Sequence, residues 1–182
     1  MENQTKQFIL LEKTTKNKIK IIEPIEKPKK KRVITTTEKW TCLTRTAEQE
    51  IDIIRQIKEN TIIDISNCNL ILRLIQGKVS GYRSQDIDKK KLDETQIIDS
   101  NYIIDLLFTC KHKCYYCNQL VQLFYEYVRE PRQWTLDRID NDFGHNKDNV
   151  LIACLQCNLK RRIMYHERYL FTKQMTITKK GV

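Results

Sequence analysis

Apolar side chains repeat at helical spacing in the first part of residues 46–110. Thr46 stands three positions before Gln49, the arrangement of a helix capping box. Three isoleucines then recur at every third position, as on one face of a helix: Ile51, Ile54 and Ile57. The pattern predicts a helix over residues 46–59.

The next apolar stretch, residues 62–75, is interrupted by asparagines and predicts short helices or a helix–turn pair. Gly77 and Gly81 predict a loop directly after it, because glycine commonly marks turns. Residues 86–94 are strongly charged, and we expect them to be exposed. A second helix is predicted from Ser100, with five apolar side chains facing inward: Ile103, Ile104, Leu106, Leu107 and Phe108.

After residue 110 the pattern changes to two strands followed by a helix. Residues 134–139 alternate like a strand, residues 141–147 favour a turn-rich loop, and residues 149–153 predict a second strand. One amphipathic helix is predicted over residues 155–170, with these side chains on or near one face: Leu155, Leu159, Ile163, Met164 and Tyr165. We assign Trp134 to the core. The predicted fold class is therefore α+β.

The formal net charge of +10 is unevenly distributed along the chain. Residues 1–39 carry 11 Lys and Arg against 5 Asp and Glu, residues 40–109 carry 9 against 11, and residues 110–182 carry 13 against 7. Basic ends favour a polyanionic partner, and nucleic acid is the polyanion we expect, although a basic surface also serves solubility. The middle region gives no sign of a strong phosphate-binding face.

The first 39 residues show no helical or strand period. A basic run, residues 29–32, follows two prolines and predicts a flexible basic tail, which would act as a nuclear address, a phosphate-binding arm or a solvated linker. The chain is therefore divided into four parts: a tail (1–39), a mainly helical accessory region (40–109), a C-terminal domain (110–172) and a final tail (173–182).

No stretch approaches the roughly 20 consecutive apolar residues that a membrane-spanning helix needs. The N-terminus, residues 1–4, also lacks the features of a signal peptide. We therefore expect no membrane partner and an intracellular, reducing compartment, where paired cysteines bind metal more often than they form disulfides. Of the seven cysteines, three are predicted to be free thiols: Cys42, Cys68 and Cys110.

Two Cys-x-x-Cys pairs bracket the predicted strands: Cys114 with Cys117, and Cys154 with Cys157. Four thiolates in two such pairs are a common ligand set for tetrahedral zinc. The 36 residues between the pairs mean that the ion would join the two ends of an inserted unit. Four protein ligands leave no open position for water, so we predict a structural Zn²⁺. Buried free thiols are the alternative.

Polar residues that zinc binding does not require lie beside these cysteines. Asp137 ends the first predicted strand, and Asn158 directly follows Cys157. Carboxylate and amide oxygens suit Mg²⁺ or Mn²⁺, so we predict a catalytic metal site at Asp137 and Asn158. Asn149 is placed to brace the intervening loop through side-chain bonds to the backbone. Three residues of the predicted helix are candidates for phosphate binding: Lys160, Arg161 and Arg162.

In these residues the chain resembles the HNH endonuclease family. The resemblance covers about residues 110–170 and rests on four segments: Leu136–Asn141, Gly144–His145, Asn149, and Cys154-x-x-Cys157-Asn158. More narrowly, it resembles the branch with a four-cysteine zinc site that phages and large DNA viruses encode, which would place the protein in a host cytoplasm or nucleus. The resemblance implies a ββα-metal fold, in which a β-hairpin and a helix surround one divalent ion. It also implies metal-ligand roles for Asp137 and Asn158, a bracing role for Asn149, and zinc-ligand roles for the four cysteines.

One position departs from the family's pattern. Where the family has an Asp-His pair whose histidine is the general base, this chain has Asp137-Arg138. Arginine does not accept a proton at neutral pH, so the role is vacant or has moved. His145 is the best replacement because its ordinary pKa is near neutral, and Arg138 would instead bind the scissile phosphate. Weaker candidates for the base are also present: Asp140, Tyr165 and His166.

The sequence therefore predicts an endonuclease that hydrolyses phosphodiester bonds in DNA, with a structural Zn²⁺ and a catalytic Mg²⁺ or Mn²⁺. The alternative is a non-catalytic, zinc-containing module that binds nucleic acid. Arg138 in place of the usual base favours that alternative. Asp137, Asn149 and Asn158 oppose it, because zinc binding needs none of them.

Overall fold

The computed structural model describes residues 11–13, 19–21, 28–33 and 46–175. Within these ranges the protein is a mixed α+β structure, as predicted, with five helices and two small two-stranded antiparallel sheets. The chain forms two compact units, residues 1–30 and 31–182. None of the helices in the described ranges has the length and apolar character needed to cross a membrane.

The first unit contains a short hairpin. Strand β1 (Leu11–Lys13) pairs antiparallel with strand β2 (Ile19–Ile21), so that Leu11 lies opposite Ile21. The sequence pattern did not predict these strands, because three residues are too few to establish a period of two. Cys42 and most of the two predicted tails lie outside the described residues.

In the second unit, the end of the basic run is attached to residues 125–127. Lys31 forms a β-bridge with Tyr127, and the Arg32 backbone N–H donates to the Glu126 carbonyl over 2.8 Å. The Arg32 guanidinium also lies 4.1 Å from the centre of the Tyr125 ring, within the range of a cation–π contact. This part of the basic segment therefore has a defined position beside Tyr125 and Tyr127.

Helix α1 (Ala47–Glu59) begins at the predicted capping box. The Thr46 hydroxyl accepts from the Gln49 backbone, and the Gln49 side chain accepts from the Thr46 backbone over 3.0 Å. On the buried side, the Glu50 carboxylate accepts backbone hydrogen bonds from Leu123 at 2.8 Å and Phe124 at 3.1 Å. Because both carboxylate oxygens are satisfied, this buried acid connects α1 to the segment after the first cysteine pair.

Helix α2 (Ile65–Asp88) is one continuous helix, so the prediction of short helices and a loop is wrong. Gly77 and Gly81 lie inside it, and a Cβ atom at either glycine would meet no atom within 4 Å. Each glycine costs a helix only about 1 kcal/mol relative to alanine. Burial of Ile71 and Ile75 outweighs that cost, since a buried isoleucine contributes roughly 1.5–3 kcal/mol.

The end of α2 also differs from the prediction of an exposed charged segment. Asp86 is fully buried, whereas residues 87–94 are exposed or half-buried. One buried acid among exposed charges leaves no periodic signal, so only the tertiary contacts reveal it.

Helix α3 (Ser100–Thr109) begins at the predicted residue. The Asp99 carboxylate accepts from the Tyr102 backbone N–H over 2.8 Å and so caps the helix. Three of the predicted inward-facing residues are buried: Ile103, Ile104 and Leu107. Phe108 is exposed, which makes its assignment to the inward face wrong.

Strands β3 (Trp134–Arg138) and β4 (Val150–Cys154) confirm the predicted pair of strands. They are antiparallel, with Trp134 opposite Cys154 and Asp137 opposite Leu151. Trp134 is buried, as predicted. The register places the end of β4, where the second cysteine pair begins, beside the start of β3.

The predicted helix over residues 155–170 is instead two helices. Helix α4 (Leu155–Arg161) ends at Arg162, whose φ of 54° leaves the helical region, and helix α5 (His166–Gln174) begins four residues later. Three of the residues assigned to the apolar face are exposed: Leu159, Ile163 and Tyr165. The break interrupts the helix, so one helical periodicity does not hold across residues 155–170.

Candidate metal centre and cleft

The four paired cysteines form one cluster. Their sulfur atoms all lie within 4.8 Å of one another, and the Sγ atoms of Cys117 and Cys154 are 3.9 Å apart. Two thiolates bound tetrahedrally at about 2.3 Å from zinc are separated by about 3.8 Å, so the cluster fits that ion. The grouping supports the prediction of a four-cysteine site able to hold a metal such as zinc. Cys68 and Cys110 lie outside the cluster and are free thiols.

Backbone hydrogen bonds hold the chain around the first cysteine pair. The backbone N–H of Cys114 donates to the Gln119 carbonyl over 2.9 Å, and the Asn118 N–H donates to the Cys114 carbonyl over 2.9 Å. Tyr115 donates to Ile152 in β4 over 2.9 Å, which attaches the first pair to the sheet. A hydrogen bond from the Cys154 thiol, together with backbone donors, lowers the pKa of Cys114, and the same contact raises the pKa of Cys154. The thiolate form of Cys114 is thereby favoured.

Asp137 lies in a buried network that reaches the first cysteine pair. Its Oδ2 accepts a hydrogen bond of 2.6 Å from the Tyr116 hydroxyl, and its Oδ1 pairs with the Arg161 guanidinium at 2.8 Å. Burial raises the pKa of Asp137, while the bonds from Tyr116 and Arg161 favour its ionised form. Tyr116 lies between Cys114 and Cys117 in the chain, so its hydrogen bond connects the Asp137 carboxylate to the first cysteine pair.

Asn158 directly follows Cys157 of the second cysteine pair and is bonded to β3. Its Nδ2 donates to the Thr135 hydroxyl and to the Leu136 carbonyl, both at 3.1 Å. These bonds use the nitrogen end of the amide, and the oxygen end accepts no hydrogen bond from any described residue. The arrangement leaves an amide oxygen available beside β3, as a hard-ion ligand would need.

His145 is paired with a residue that sequence reasoning missed. The Asp86 carboxylate contacts His145 twice: Oδ1 lies 2.9 Å from the ring Nδ1, and Oδ2 accepts from the backbone N–H over 2.6 Å. Tyr82, one turn earlier in α2, lies against the imidazole with ring centres 4.4 Å apart. Burial lowers the pKa of His145, and the Asp86 carboxylate partly offsets that by favouring the protonated ring. With Nδ1 used by Asp86, Nε2 is the nitrogen left to accept a proton.

The loop that carries His145 is braced by Asn149. The Asn149 Nδ2 donates to the carbonyls of Asp140 at 3.0 Å and Gly144 at 2.9 Å, and its Oδ1 accepts from the Asp140 N–H over 2.9 Å. Arg138 donates to the Phe143 carbonyl over 3.0 Å. The hairpin loop is therefore fixed at both ends, which gives His145 one defined position.

Replacing Gly144 with alanine should destabilise the protein by about 1–3 kcal/mol, as overpacking does elsewhere. A Cβ atom there would lie 2.4 Å from the Lys91 carbonyl and 2.9 Å from the Asp86 carboxylate, so the loop must move. Urea unfolding would measure the change. Gly77→Ala is the matched control, since its Cβ meets no atom within 4 Å and should stabilise helix α2. Equal unfolding midpoints for Gly144→Ala and the wild type would contradict the prediction.

Asp137, Arg138, His145 and Asn158 line one cleft of about 460 Å³. Residues of α2 complete it, among them Tyr82 and Lys89. The fold thus brings together two candidate metal ligands, the candidate base and the arginine that stands where the base was expected. Asp86, the partner of the candidate base, lies 51 positions before Asp137 in the chain.

The three basic residues of α4 do not share one environment. Lys160 is exposed, and Arg162 is exposed and lines the cleft, so both can meet a phosphate. Arg161 is buried, pairs with Asp137 and donates to the Ile139 carbonyl over 3.0 Å. Its assignment to phosphate binding is therefore corrected: the side chain supports Asp137.

The weaker candidates for the base lie in a neighbouring groove. Asp140, Tyr165 and His166 line a second cavity of about 400 Å³ beside α5. His112, next to the first cysteine pair, is buried with neither ring nitrogen bonded, and burial lowers its pKa to about 4. None of the four residues lines the cleft of Asp137.

Fold and site together define an α+β protein with a four-cysteine cluster suited to zinc and an adjoining polar cleft. Comparison with known proteins adds no relative: no family model matches the chain, and no curated protein or solved structure matches it.

Proposed function

We propose that the protein is a metal-dependent endonuclease of the HNH type that hydrolyses phosphodiester bonds in DNA. The observation that carries the proposal is the Asp86–His145 pair, whose histidine lines the same cleft as Asp137 and Asn158. A carboxylate that fixes one imidazole nitrogen and leaves the other for proton transfer is an arrangement used in general-base catalysis. The net charge of +10 suits a polyanionic substrate.

His145 serves as the general base in this proposal. Asp86 holds the ring through Nδ1, so that Nε2 accepts a proton from the attacking water. Because burial lowers the pKa of His145, the ring is neutral at physiological pH, as a base must be. Asp86 acts as a positioning residue that sets the tautomer and the orientation of the ring.

Asp137 and Asn158 would hold a divalent ion, Mg²⁺ or Mn²⁺. The fit rests on donor chemistry: the Asn158 amide presents its oxygen, and each Asp137 oxygen accepts one hydrogen bond and keeps further lone pairs. A bound ion supplies charge stabilisation for the leaving oxygen. Arg138 and Arg162, which line the same cleft, are placed to bind the phosphate.

A second candidate function is a zinc-containing module that binds nucleic acid without cleaving it. The observation that favours it is the buried pair of Asp137 with Arg161, together with the bond from Tyr116. Such a pair gives Asp137 a structural role with no need of a catalytic ion. In that case the cleft would bind phosphate through Arg138 and Arg162 only.

Nicking of supercoiled plasmid separates the two functions. Zinc-loaded protein is incubated with plasmid in the presence of Mg²⁺ or Mn²⁺, and in parallel with no added divalent ion. The endonuclease converts the plasmid to nicked or linear forms only when the ion is present. Tight binding with no conversion under either ion favours the non-catalytic module.

Asp86→Asn should slow nicking by about 10- to 100-fold, the usual effect of removing the partner that orients a functional histidine. The asparagine has no charge to favour the protonated ring, so the pKa of His145 falls and the acidic limb of the rate profile moves to lower pH. Nicking rates measured across pH 5–8 would show both effects. Asp88→Asn, an exposed acid at the end of α2, is the matched control. A wild-type rate and pH profile for Asp86→Asn would refute its positioning role.

A further inference from the structure

The turn between α4 and α5 presents apolar side chains to solvent. Ile163 is 90% exposed and Tyr165 is 81% exposed, whereas Met164 between them packs against the core. The turn is closed by backbone bonds: Arg162 N–H donates to Asn158 over 3.3 Å, and Met164 N–H donates to Arg161 over 3.0 Å. Met164 therefore anchors a short, ordered turn, and no part of the chain that the structure describes covers its two flanking side chains.

The backbone of this turn is strained. Arg162 has φ 54° and ψ −116°, a combination that a residue with a Cβ atom rarely adopts. Strained backbone of this kind persists where the surrounding structure fixes it, and it concentrates at binding sites. The strained residue, Arg162, lies between α4, which lines the cleft, and the two exposed apolar residues, Ile163 and Tyr165.

Basic side chains lie on both sides of the turn and suit a polyanionic partner. Lys160 and Arg162 are exposed before it, and Arg168 is exposed after it beside one exposed acid, Glu167. A protein-binding patch is typically depleted of lysine at its centre, whereas apolar and aromatic residues beside cations are usual where proteins contact nucleic-acid bases. Asp140 and Asp142 also line the adjoining groove and would repel phosphate, so the backbone of a bound duplex belongs beside Lys160 and Arg162.

We propose that Ile163 and Tyr165 form an apolar wedge that contacts the bases of duplex DNA and unstacks a base step next to the phosphate in the cleft. The proposal rests on the endonuclease function, since it uses the same bound duplex. Lys160 and Arg162 bind backbone phosphates on one side of the wedge, and Tyr165 stacks on a base. The wedge deforms the duplex locally and so favours sites where base pairs separate readily.

Binding without cleavage tests the wedge. A fluorescein-labelled duplex is titrated with zinc-loaded protein in the absence of Mg²⁺ and Mn²⁺, and a second duplex carries 2-aminopurine, whose fluorescence rises when its base is unstacked. The Ile163→Ser/Tyr165→Ser variant should bind at least about tenfold more weakly and lose the 2-aminopurine signal, as the loss of base contacts predicts. Its salt dependence should stay unchanged, whereas Lys160→Gln should reduce the slope of log affinity against log salt by about one.

Ile63→Ser is the matched control, because Ile63 is 85% exposed and lies in the connection between α1 and α2. Thermal unfolding of each variant should match the wild type, since these exposed side chains pack against little. If the wild type binds duplex DNA but the wedge variant keeps its affinity and its 2-aminopurine signal, the wedge is overturned while the nuclease proposal stands. If the wild type binds no DNA, both proposals fail. Wedge-dependent binding of a protein partner with unchanged DNA binding would also overturn the assignment.

Discussion

Asp137→Asn should abolish metal-dependent nicking, with a fall in rate of at least about a hundredfold. The substitution removes the only acidic group among the two proposed metal ligands, and an amide pair binds Mg²⁺ poorly. Binding of DNA measured without divalent ions should persist, because removing a negative charge from the cleft does not repel phosphate. Plasmid nicking and duplex binding, measured side by side, therefore separate a catalytic role of Asp137 from a general loss of the cleft.

The buried pair with Arg161 requires a stability control for this variant. Asp137→Asn leaves the guanidinium without its anionic partner, and breaking a buried pair typically costs about 3–5 kcal/mol. The double variant Asp137→Asn/Arg161→Met removes both charges and should recover much of that stability without recovering nicking. Asp142→Asn, an exposed acid of the hairpin loop, should change neither property. Nicking at the wild-type rate by Asp137→Asn would exclude the proposed ion site.

Cys154→Ser should remove bound zinc and prevent the cooperative folding of the region around β3, β4 and α4. Zinc bound by four thiolates contributes an apparent free energy of about 10–16 kcal/mol at pH 7, which is comparable to or larger than the roughly 5–15 kcal/mol that separates folded from unfolded domains. Cys154 lies opposite Trp134 and is the N-cap of α4, so its loss affects the sheet and the helix together. Zinc content by elemental analysis and thermal unfolding by circular dichroism would measure the two effects.

Cys110→Ser provides the comparison for the zinc site, because Cys110 is a half-buried free thiol outside the cluster. This variant should keep one zinc per chain and unfold close to the wild type. Absence of zinc from the wild type, together with an unchanged midpoint in Cys154→Ser, would favour the alternative that the four cysteines are buried free thiols.

The features predicted correctly are those that depend on residues close together in the sequence. The capping box at Thr46 forms as the spacing indicates, and Trp134 opens a buried strand. The cysteine pairs also come together as their spacing predicts, because two residues between cysteines allow both sulfurs to reach one ion. Each of these signals depends on a few neighbouring residues.

The errors arose where contacts distant in sequence decide the structure. Gly77 and Gly81 are ordinary turn markers, yet packing of the surrounding isoleucines keeps α2 helical. Helix α4 ends at Arg162 with no glycine or proline nearby, the residues that commonly mark a helix end. Asp86 stands in the sequence among exposed charged residues, and only its two contacts with His145, 59 residues away, connect it to a residue that lines the cleft.

The pairing of Asp86 with His145 determines how much of the chain a chimaera must contain. Residues 110–172 include the cysteine cluster, Asp137 and Asn158, and this segment alone, here called the cassette, would be the natural choice for transfer to another protein. Transplanted alone, that cassette would lose the α2 residues that hold the imidazole in place, and Glu50 of α1 further attaches the helices to the segment after the first cysteine pair. A hybrid built to test the proposed nuclease function should therefore start before α1, at about residue 46.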